Sequence, residues 1–212
     1  MIKVKFAGLS LTALATVMLL QIGCGGSKPA RFYMLSSINN PVGENRATNK
    51  NGEISIGIGP VTFPAYLQRP QIVTYLSANQ IYLADFDRWA EPLEDNFTNV
   101  LSRNLSNILS TDNIYLFPWP SGIIVQYQLT INVIRFELEH NGKISLIVNW
   151  LVFRLPERKL LITKKSEYSQ TLALDEKMKA EEKYSRIVSA MSRTLADFSS
   201  EIADGILSIQ NH

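Results

Sequence analysis

The fold is decided by two stretches in which apolar and polar side chains alternate, Val125-Gln-Tyr-Gln-Leu-Thr-Ile-Asn-Val133 and Ile134-Arg-Phe-Glu-Leu138. Strict alternation is typical of a strand with one buried face. The phase of the alternation slips by one residue after Val133, which predicts a β-bulge or a sharp bend there. Strand-like patterning continues to about Gln170, so we expect an antiparallel meander from Ile124 to that residue.

The turn after residue 138 can be chosen from the same pattern. A two-residue turn at Asn141-Gly142 would set charged residues opposite the apolar residues of the next strand. A three-residue loop, His140-Asn141-Gly142, sets apolar residues opposite one another and gives Gly142 a left-handed conformation. We therefore predict the three-residue loop, with three apolar pairs: Leu138 with Ile144, Phe136 with Leu146, and Ile134 with Val148.

Two helices are predicted, one on each side of the meander in the sequence. The first begins near Pro92, a residue that suits the first turn of a helix, and its apolar residues recur every three or four positions to about Ser110. The second shows the same periodicity from about Asp175 to the end of the chain and would be ~50 Å long. We expect a single α+β domain over residues 31–212, in which an antiparallel sheet carries both helices on one face. Shorter strands are expected at 31–35, 54–58, 72–76, 80–83 and 115–117.

The charge balance argues against a nucleic-acid-binding protein. The chain has 21 Lys and Arg residues against 19 Asp and Glu residues. Lys3 and Lys5 account for the whole excess, since the first 23 residues contain no acid. A nucleic-acid binder normally needs a basic surface to displace counterions, and residues 24–212 have no net side-chain charge.

The first 23 residues are typical of a lipoprotein signal peptide. Two lysines precede an uncharged, mostly apolar run from Phe6 to Leu20, which is shorter than the roughly 20 residues of a membrane-spanning helix. Leu20-Gln-Ile-Gly-Cys24 resembles a lipobox, which predicts an acylated Cys24 at the mature N-terminus and a short tether over residues 24–30. Gly25, rather than Asp, follows the cysteine and favours the outer membrane. The alternative is a buried Cys in a signal-anchored or ordinarily cleaved protein.

No catalytic, cofactor or metal motif emerges, so we predict a protein that is not an enzyme. Gly57-Ile-Gly59 follows a strand, but a dinucleotide fingerprint needs a third glycine where Thr62 stands, and Pro60 removes a donor. A glycine-kinked strand end is the simpler interpretation. With one Cys and two His residues, the Cys₄ and Cys₂His₂ zinc sites are excluded. His140 is the residue on which a hydrolase would depend, and it has no motif-like Ser or Asp context.

Three further groups of residues have two interpretations each. The acids Asp85, Asp87, Glu91, Glu94 and Asp95 could serve acid–base chemistry or bind calcium, or they mark a hairpin end and a helix start. The bases Arg154, Arg158, Lys159, Lys164 and Lys165 could face anionic lipid or an acidic partner, or form the solvated face of an edge strand. The aromatic segment Tyr115-Leu-Phe-Pro-Trp-Pro120 could be core plus turn or an exposed docking edge.

Two motifs carry a resemblance to a known family. They are Ile58-Gly-Pro-Val-Thr-Phe-Pro-Ala-Tyr-Leu-Gln-Arg-Pro-Gln-Ile-Val73 and Arg88-Trp-Ala-Glu-Pro-Leu93, preceded by the opening strand Phe32-Tyr-Met-Leu35. With the lipobox, the meander and the terminal helix in the same order, the chain resembles the PqiC/YmbA-type family of ABC-transport auxiliary lipoproteins over essentially its whole mature length. Gln68 is a departure, since the family often has Asp there.

The resemblance implies a non-catalytic lipoprotein that faces the periplasm of a Gram-negative bacterium. Acylated Cys24 would hold it in the outer membrane, where it would dock the periplasmic MCE-domain protein of a lipid transport system, either singly or as a homo-oligomer. Tyr66, Arg69 and Trp89 are the docking candidates, because Trp, Tyr and Arg are over-represented at interface hot spots. Alternatively, Trp89 lies in the core and Arg69 pairs with an acid such as Glu91. A second functional alternative is a lipid carrier with an apolar cavity between the sheet and the helices.

Overall fold

The computed structural model of the chain describes residues 28–37, 54–175 and 177–210. The predicted signal peptide, Cys24 and the first part of the tether lie outside the described residues. The predictions for those segments therefore stay predictions.

Eight strands of the described residues form one sheet, and the sheet is mixed rather than wholly antiparallel. The strands are β1 (Arg31–Tyr33), β2 (Ile56–Thr62), β3 (Gln71–Ser77), β4 (Gln80–Trp89), β5 (Ile114–Leu116), β6 (Tyr127–Leu138), β7 (Lys143–Arg154) and β8 (Lys159–Thr171). β6 lies at the centre of the sheet, with β7 and then β8 on one side, while β2 and β3 share the other side. β2 runs parallel to both β5 and β6, and β1 runs parallel to β4.

The predicted meander is confirmed as the antiparallel strands β6, β7 and β8. The predicted bulge is confirmed as well, because the pairing of β6 with β7 shifts register between Val133 and Arg135. Val133 pairs with Val148, so the predicted pair of Ile134 with Val148 is wrong. Ile134 is the extra residue of the bulge, and its side chain is exposed.

The three-residue loop between β6 and β7 is also confirmed. Leu138 pairs with Ile144 and Phe136 with Leu146, as the apolar pattern predicts. Gly142 has a φ of 78°, in the left-handed region that favours glycine. The loop thus keeps both apolar pairs on the face of the sheet that packs against the helices.

Both predicted helices form and lie on one face of the sheet. α1 (Leu93–Leu109) packs against β2 and β5, and α2 (Ala180–Gln210) packs against β7, β8 and α1. α2 begins five residues after Asp175, because the backbone carbonyl of Asp175 accepts the Met178 N–H in a separate turn. Its 31 residues span about 46 Å.

Aromatic side chains fill the layer between the sheet and the helices. The ring of Phe97 in α1 lies 5.6 Å from Phe136 of β6 and 6.4 Å from Phe198 of α2, between centroids. Trp150 of β7 lies 6.2 Å from the same Phe198 ring. All four side chains are buried. Interlocked aromatic packing of this kind fixes how each helix sits on the sheet.

Candidate docking groove

The two family motifs lie side by side in the structure. The first motif runs from β2 through a loop with a single 3₁₀ turn, Ala65–Leu67, into the start of β3. The second motif contains the end of β4 and the start of α1. The Trp89 N–H donates to the Pro70 carbonyl at 2.7 Å, so one backbone hydrogen bond joins the motifs directly.

A surface groove of about 560 Å³ lies where the motifs meet, and we call it the motif groove. Apolar side chains that belong to the core form its floor, so the groove is held by the packing of the whole fold. Phe63 in this floor makes an edge-to-face contact with Phe97 at 5.3 Å. The described lining residues are Phe63, Leu67, Gln68, Arg69, Pro70, Trp89, Ala90, Glu91, Pro92, Leu93, Glu94 and Asp95.

The rim of the motif groove is acidic. Glu91, Glu94 and Asp95 supply three carboxylates, against a single base, Arg69, among the described lining residues. Burial and then the neighbouring charge of Asp95 raise the pKa of Glu94 above its usual value. The same three acids line a second groove of about 470 Å³ that continues toward Phe117. An apolar floor with an acidic rim suits a segment that carries apolar and basic side chains.

Trp89 and Arg69, two of the three docking candidates, both line the motif groove. Trp89 is only 5% exposed, so the alternative that places it in the core describes it well. The alternative ion pair of Arg69 with Glu91 is absent from the described residues, and Glu91 instead accepts a hydrogen bond from Asn96 at 2.7 Å. The Arg69 Nε is buried and has no hydrogen-bond partner.

Gln68, which departs from the family's usual Asp, ties the loop of the first motif to α1. Its amide donates to the Phe63 carbonyl at 3.2 Å and reaches a Glu94 carboxylate oxygen at 3.5 Å. A carboxylate at this position could not donate to either group. Gln68 therefore links both motifs across the motif groove.

Tyr66, the third docking candidate, faces away from the motif groove and toward a buried carboxylate. Its hydroxyl donates to Glu137 Oε2 at 3.0 Å, and the Phe136 N–H donates to the same oxygen at 2.8 Å. The Tyr66 ring lies edge-on to Tyr75 at 6.4 Å, and the Arg135 guanidinium lies over the Tyr75 ring. Tyr66 thus holds the loop of the first motif onto β3 and β6.

Glu137 is a functional candidate that sequence reasoning missed. Its side chain is completely buried, and burial raises its pKa to about 7 even though hydrogen bonds from Phe136 and Tyr66 oppose the shift. Arg135 Nε lies 3.4 Å from Glu137 Oε1 but does not have hydrogen-bond geometry. No local signal could have distinguished Glu137 from its charged neighbours Arg135 and Glu139, since alternation gives all three the same face.

One part of the aromatic segment packs against the fold and another part is exposed, so each of the two interpretations describes part of it. Trp119 covers Gly57 of β2 so closely that a Cβ on Gly57 would lie 2.6 Å from the indole ring. Phe117, by contrast, is 53% exposed beside the short edge strand β5. Gly57 and Gly59 therefore leave room for aromatic side chains. They lie inside β2, which continues to Thr62, so the predicted strand end is wrong, whereas the predicted kink is confirmed by the irregular pairing of β2 between Ile58 and Val61.

The remaining candidate residues are scattered over the surface. Asp87 forms a bidentate pair with Arg31 at 2.7 and 2.8 Å, far from any calcium-like set of ligands. In the predicted basic group, Lys165 pairs with Glu167 on the solvated face of edge strand β8. Lys164 lies on the opposite face, beside Trp150, and pairs with Glu201 of α2. Within the described ranges, no group of three or more His, Cys, Asp or Glu side chains is placed to hold a metal ion. His140 lies at the exposed β6–β7 turn.

Comparisons with known proteins agree with the resemblance seen in the motifs. Residues 33–203 match the family described as ABC-type transport auxiliary lipoprotein component. The intermembrane transport lipoprotein PqiC of Escherichia coli K12 is 27% identical over 131 residues, which cover 61% of this chain and 67% of that protein. PqiC of Shigella flexneri gives the same values.

Two solved structures share the fold. Protein XCC0632 from Xanthomonas campestris superposes with a TM-score of 0.67 and 14% identity, over 86% of this chain and 97% of that one. The crystal structure of an uncharacterized protein gives a TM-score of 0.65 and 22% identity, over 84% and 99% of the two chains. No helix in the described part of the chain is both long and apolar enough to cross a membrane.

Proposed function

The chain belongs to the family of ABC-type transport auxiliary lipoprotein components, and from this premise we propose that it is an outer-membrane-anchored subunit of an MCE-type lipid transport system. In this role, acylated Cys24 holds the protein at the inner leaflet of the outer membrane. The folded part docks the periplasmic MCE-domain protein at that membrane. The proposal concerns attachment and docking and needs no catalytic group.

The observation that carries the docking role is the convergence of both family motifs on the motif groove. Glu94 and Asp95 also lie in the first turn of α1, where the helix dipole favours acids, while Glu91 precedes the helix and completes the acidic rim of the apolar depression. The name of the relative, an intermembrane transport lipoprotein, supports the assignment of such a system to this chain. Trp89 then acts as part of a rigid floor, and the partly exposed Arg69 lines the groove beside it.

A lipid carrier is less well supported by the packing. In the described residues, the layer between the sheet and the helices is occupied by the rings of Phe97, Phe136, Trp150 and Phe198. An acyl chain would have to displace these rings. Native mass spectrometry of the purified protein that showed a bound phospholipid would favour the carrier role.

Photocrosslinking in membranes tests the docking role. A photoreactive residue at Ala90, in the motif groove, should crosslink to the MCE-domain protein. The same residue at Glu157, in the exposed β7–β8 turn, serves as the matched control and should not crosslink. Absence of an MCE-protein adduct at Ala90, under gentle solubilisation that leaves the protein folded, would refute docking through the motif groove.

Charge reversal gives an independent measure of the same contact. Glu94→Lys should weaken binding of the purified MCE-domain protein by at least about tenfold, because the rim would repel a basic segment. Glu157→Lys makes the same change in charge outside the motif groove and should leave the affinity unchanged. Equal affinities of the two variants would show that the acidic rim has no part in binding.

A further inference from the structure

The ribbon formed by β3 and β4 is uncharged over an unusual length. From Gln71 to Ala84 the sequence contains no Asp, Glu, Lys, Arg or His. Three large side chains near its turn are exposed: Leu76 by 56%, Tyr82 by 43% and Ile81 by 37%. We call residues 75–82 the ribbon tip. Monomeric proteins rarely expose apolar and aromatic groups together without a partner surface.

The ribbon tip projects beyond the rest of the described sheet. Thr74 pairs with Leu138, the last residue of β6, so β3 continues past the end of the central strand. β1 pairs with β4 only from Asp87 to Trp89. Between these supports and the turn, the described ribbon consists of two strands that pair only with each other.

The direction of β1 points the chain that precedes it toward the ribbon tip. β1 is parallel to β4, with Arg31 beside Asp87, so the chain before Arg31 points toward the beginning of β4. The bidentate pair of Arg31 with Asp87, together with the Tyr33 hydroxyl at 2.9 Å, fixes this direction. The seven residues of the tether can span at most about 25 Å, which is close to the length of β4 from Asp87 back to its first residue.

We propose that the ribbon tip inserts into the interface of the bilayer that holds the acyl chains of Cys24. The inference rests on the anchor of the proposed function, and the direction of β1, with Cys24 only seven positions before Arg31, is what selects lipid over a protein partner. Tyrosine suits the headgroup level, and leucine and isoleucine suit the acyl boundary. The β7–β8 turn, by contrast, carries the charged residues Glu157 and Arg158.

Depth-dependent fluorescence quenching of the lipidated full-length mature protein tests the proposal. Acylation consumes the only thiol, so a label on an Ala78→Cys variant reports the ribbon tip alone. The protein is reconstituted in phosphatidylethanolamine–phosphatidylglycerol vesicles with a nitroxide on the acyl chains. We expect strong quenching at residue 78 and none for a label on Glu157→Cys, in the opposite turn. Equal quenching at both positions overturns the proposal.

Further controls distinguish the ways in which the proposal could fail. Labelling of the parent protein would mean that Cys24 is not acylated, which refutes the anchor itself. An equally shielded label in detergent without lipid would mean that protein covers the ribbon tip, which refutes lipid insertion. The double change of Leu76→Ser and Tyr82→Ser should reduce quenching at residue 78 by about tenfold, through loss of apolar transfer. Leu207→Ser, at a similarly exposed site on α2, should leave it unchanged.

Discussion

At the scale of single residues, a buried carboxylate stabilises the loop of the first motif. Glu137 lies on the face of β6 opposite the helices, and the Tyr66 hydroxyl covers it. Removing water from an acid favours its neutral form, while a hydrogen bond to the carboxylate favours the charged form. Here burial is the larger of the two effects, so the pKa of Glu137 is raised to about 7.

This raised pKa predicts a stability that falls as the pH rises. The folded state holds the Glu137 proton more tightly than the unfolded state does, between the ordinary pKa of 4.5 and the folded pKa of about 7. The free energy of unfolding should therefore decrease across this pH window, by roughly 2 to 3 kcal/mol. Glu137→Gln, whose amide oxygen can still accept from Tyr66, should remove this decrease and be the more stable protein at about pH 8.

Urea unfolding at about pH 5 and about pH 8 measures the effect. Glu139→Gln is the matched control, because the pKa of Glu139 is lowered and its contribution is lost as the pH falls. That control should keep the decrease that Glu137 causes. A Glu137→Gln protein with the wild-type pH dependence would show that the buried carboxylate is not the origin.

The sequence predicted some of these residues and necessarily missed others. Tyr66, Arg69 and Trp89 could be identified because they occur in motifs. Glu137 could not, since its burial depends on the loop of the first motif, some 70 residues away in the chain. A carboxylate that alternates correctly with apolar residues could equally well face solvent or be covered by a loop.

At the scale of elements, the bulge in β6 joins two halves of a strand in which apolar and polar residues alternate with opposite phase. Val133 and Phe136 are both buried in the core although they are three positions apart, whereas core positions of a regular strand are an even number of positions apart. Ile134 takes up the extra position, and the pairing with β7 continues on either side. The register of the whole meander therefore depends on one exposed residue.

Deletion of Ile134 should leave the fold intact. Val133 would remain opposite Val148 and Arg135 opposite Ile147, so that core and solvent positions alternate without interruption. We expect cooperative urea unfolding and a free energy of unfolding within about 2 kcal/mol of the wild type.

Deletion of Thr130 in the same strand is the matched control. It would move Asn132 into the core and Ile131 out of it, and cooperative unfolding should be lost. If deletion of Ile134 were as damaging as deletion of Thr130, the bulge would have a role beyond the correction of phase.

Pairings between distant strands explain why the sheet could only be predicted in part. The meander was predictable because each strand is followed directly by its neighbour. β2 lies parallel to β6, and some 70 residues separate their paired positions, so no turn or spacing in the sequence signals the contact. β2 also continues past Pro60 to Thr62, where an irregular pairing accommodates the missing N–H.

At the scale of the whole molecule, attachment and docking would use opposite ends of one ribbon. β4 runs from the ribbon tip, toward which β1 points the chain that precedes it, to Trp89 in the motif groove. Its ten residues separate the two sites by about 30 Å. Such a separation would let a lipoprotein present its groove to a periplasmic partner while its other end contacts the membrane.

If the two ends work independently, Cys24→Ala should separate attachment from docking. Without acyl chains the protein should leave the membrane fraction, since each buried CH₂ of the anchor contributes about 0.8 kcal/mol. Its affinity for the purified MCE-domain protein should stay within about threefold of the wild type, because the motif groove is unchanged. Glu94→Lys should give the reverse result, with membrane attachment kept and binding lost. A Cys24→Ala protein that still fractionates with the outer membrane would refute the anchor, and one that no longer binds its partner would refute the independence of the two ends.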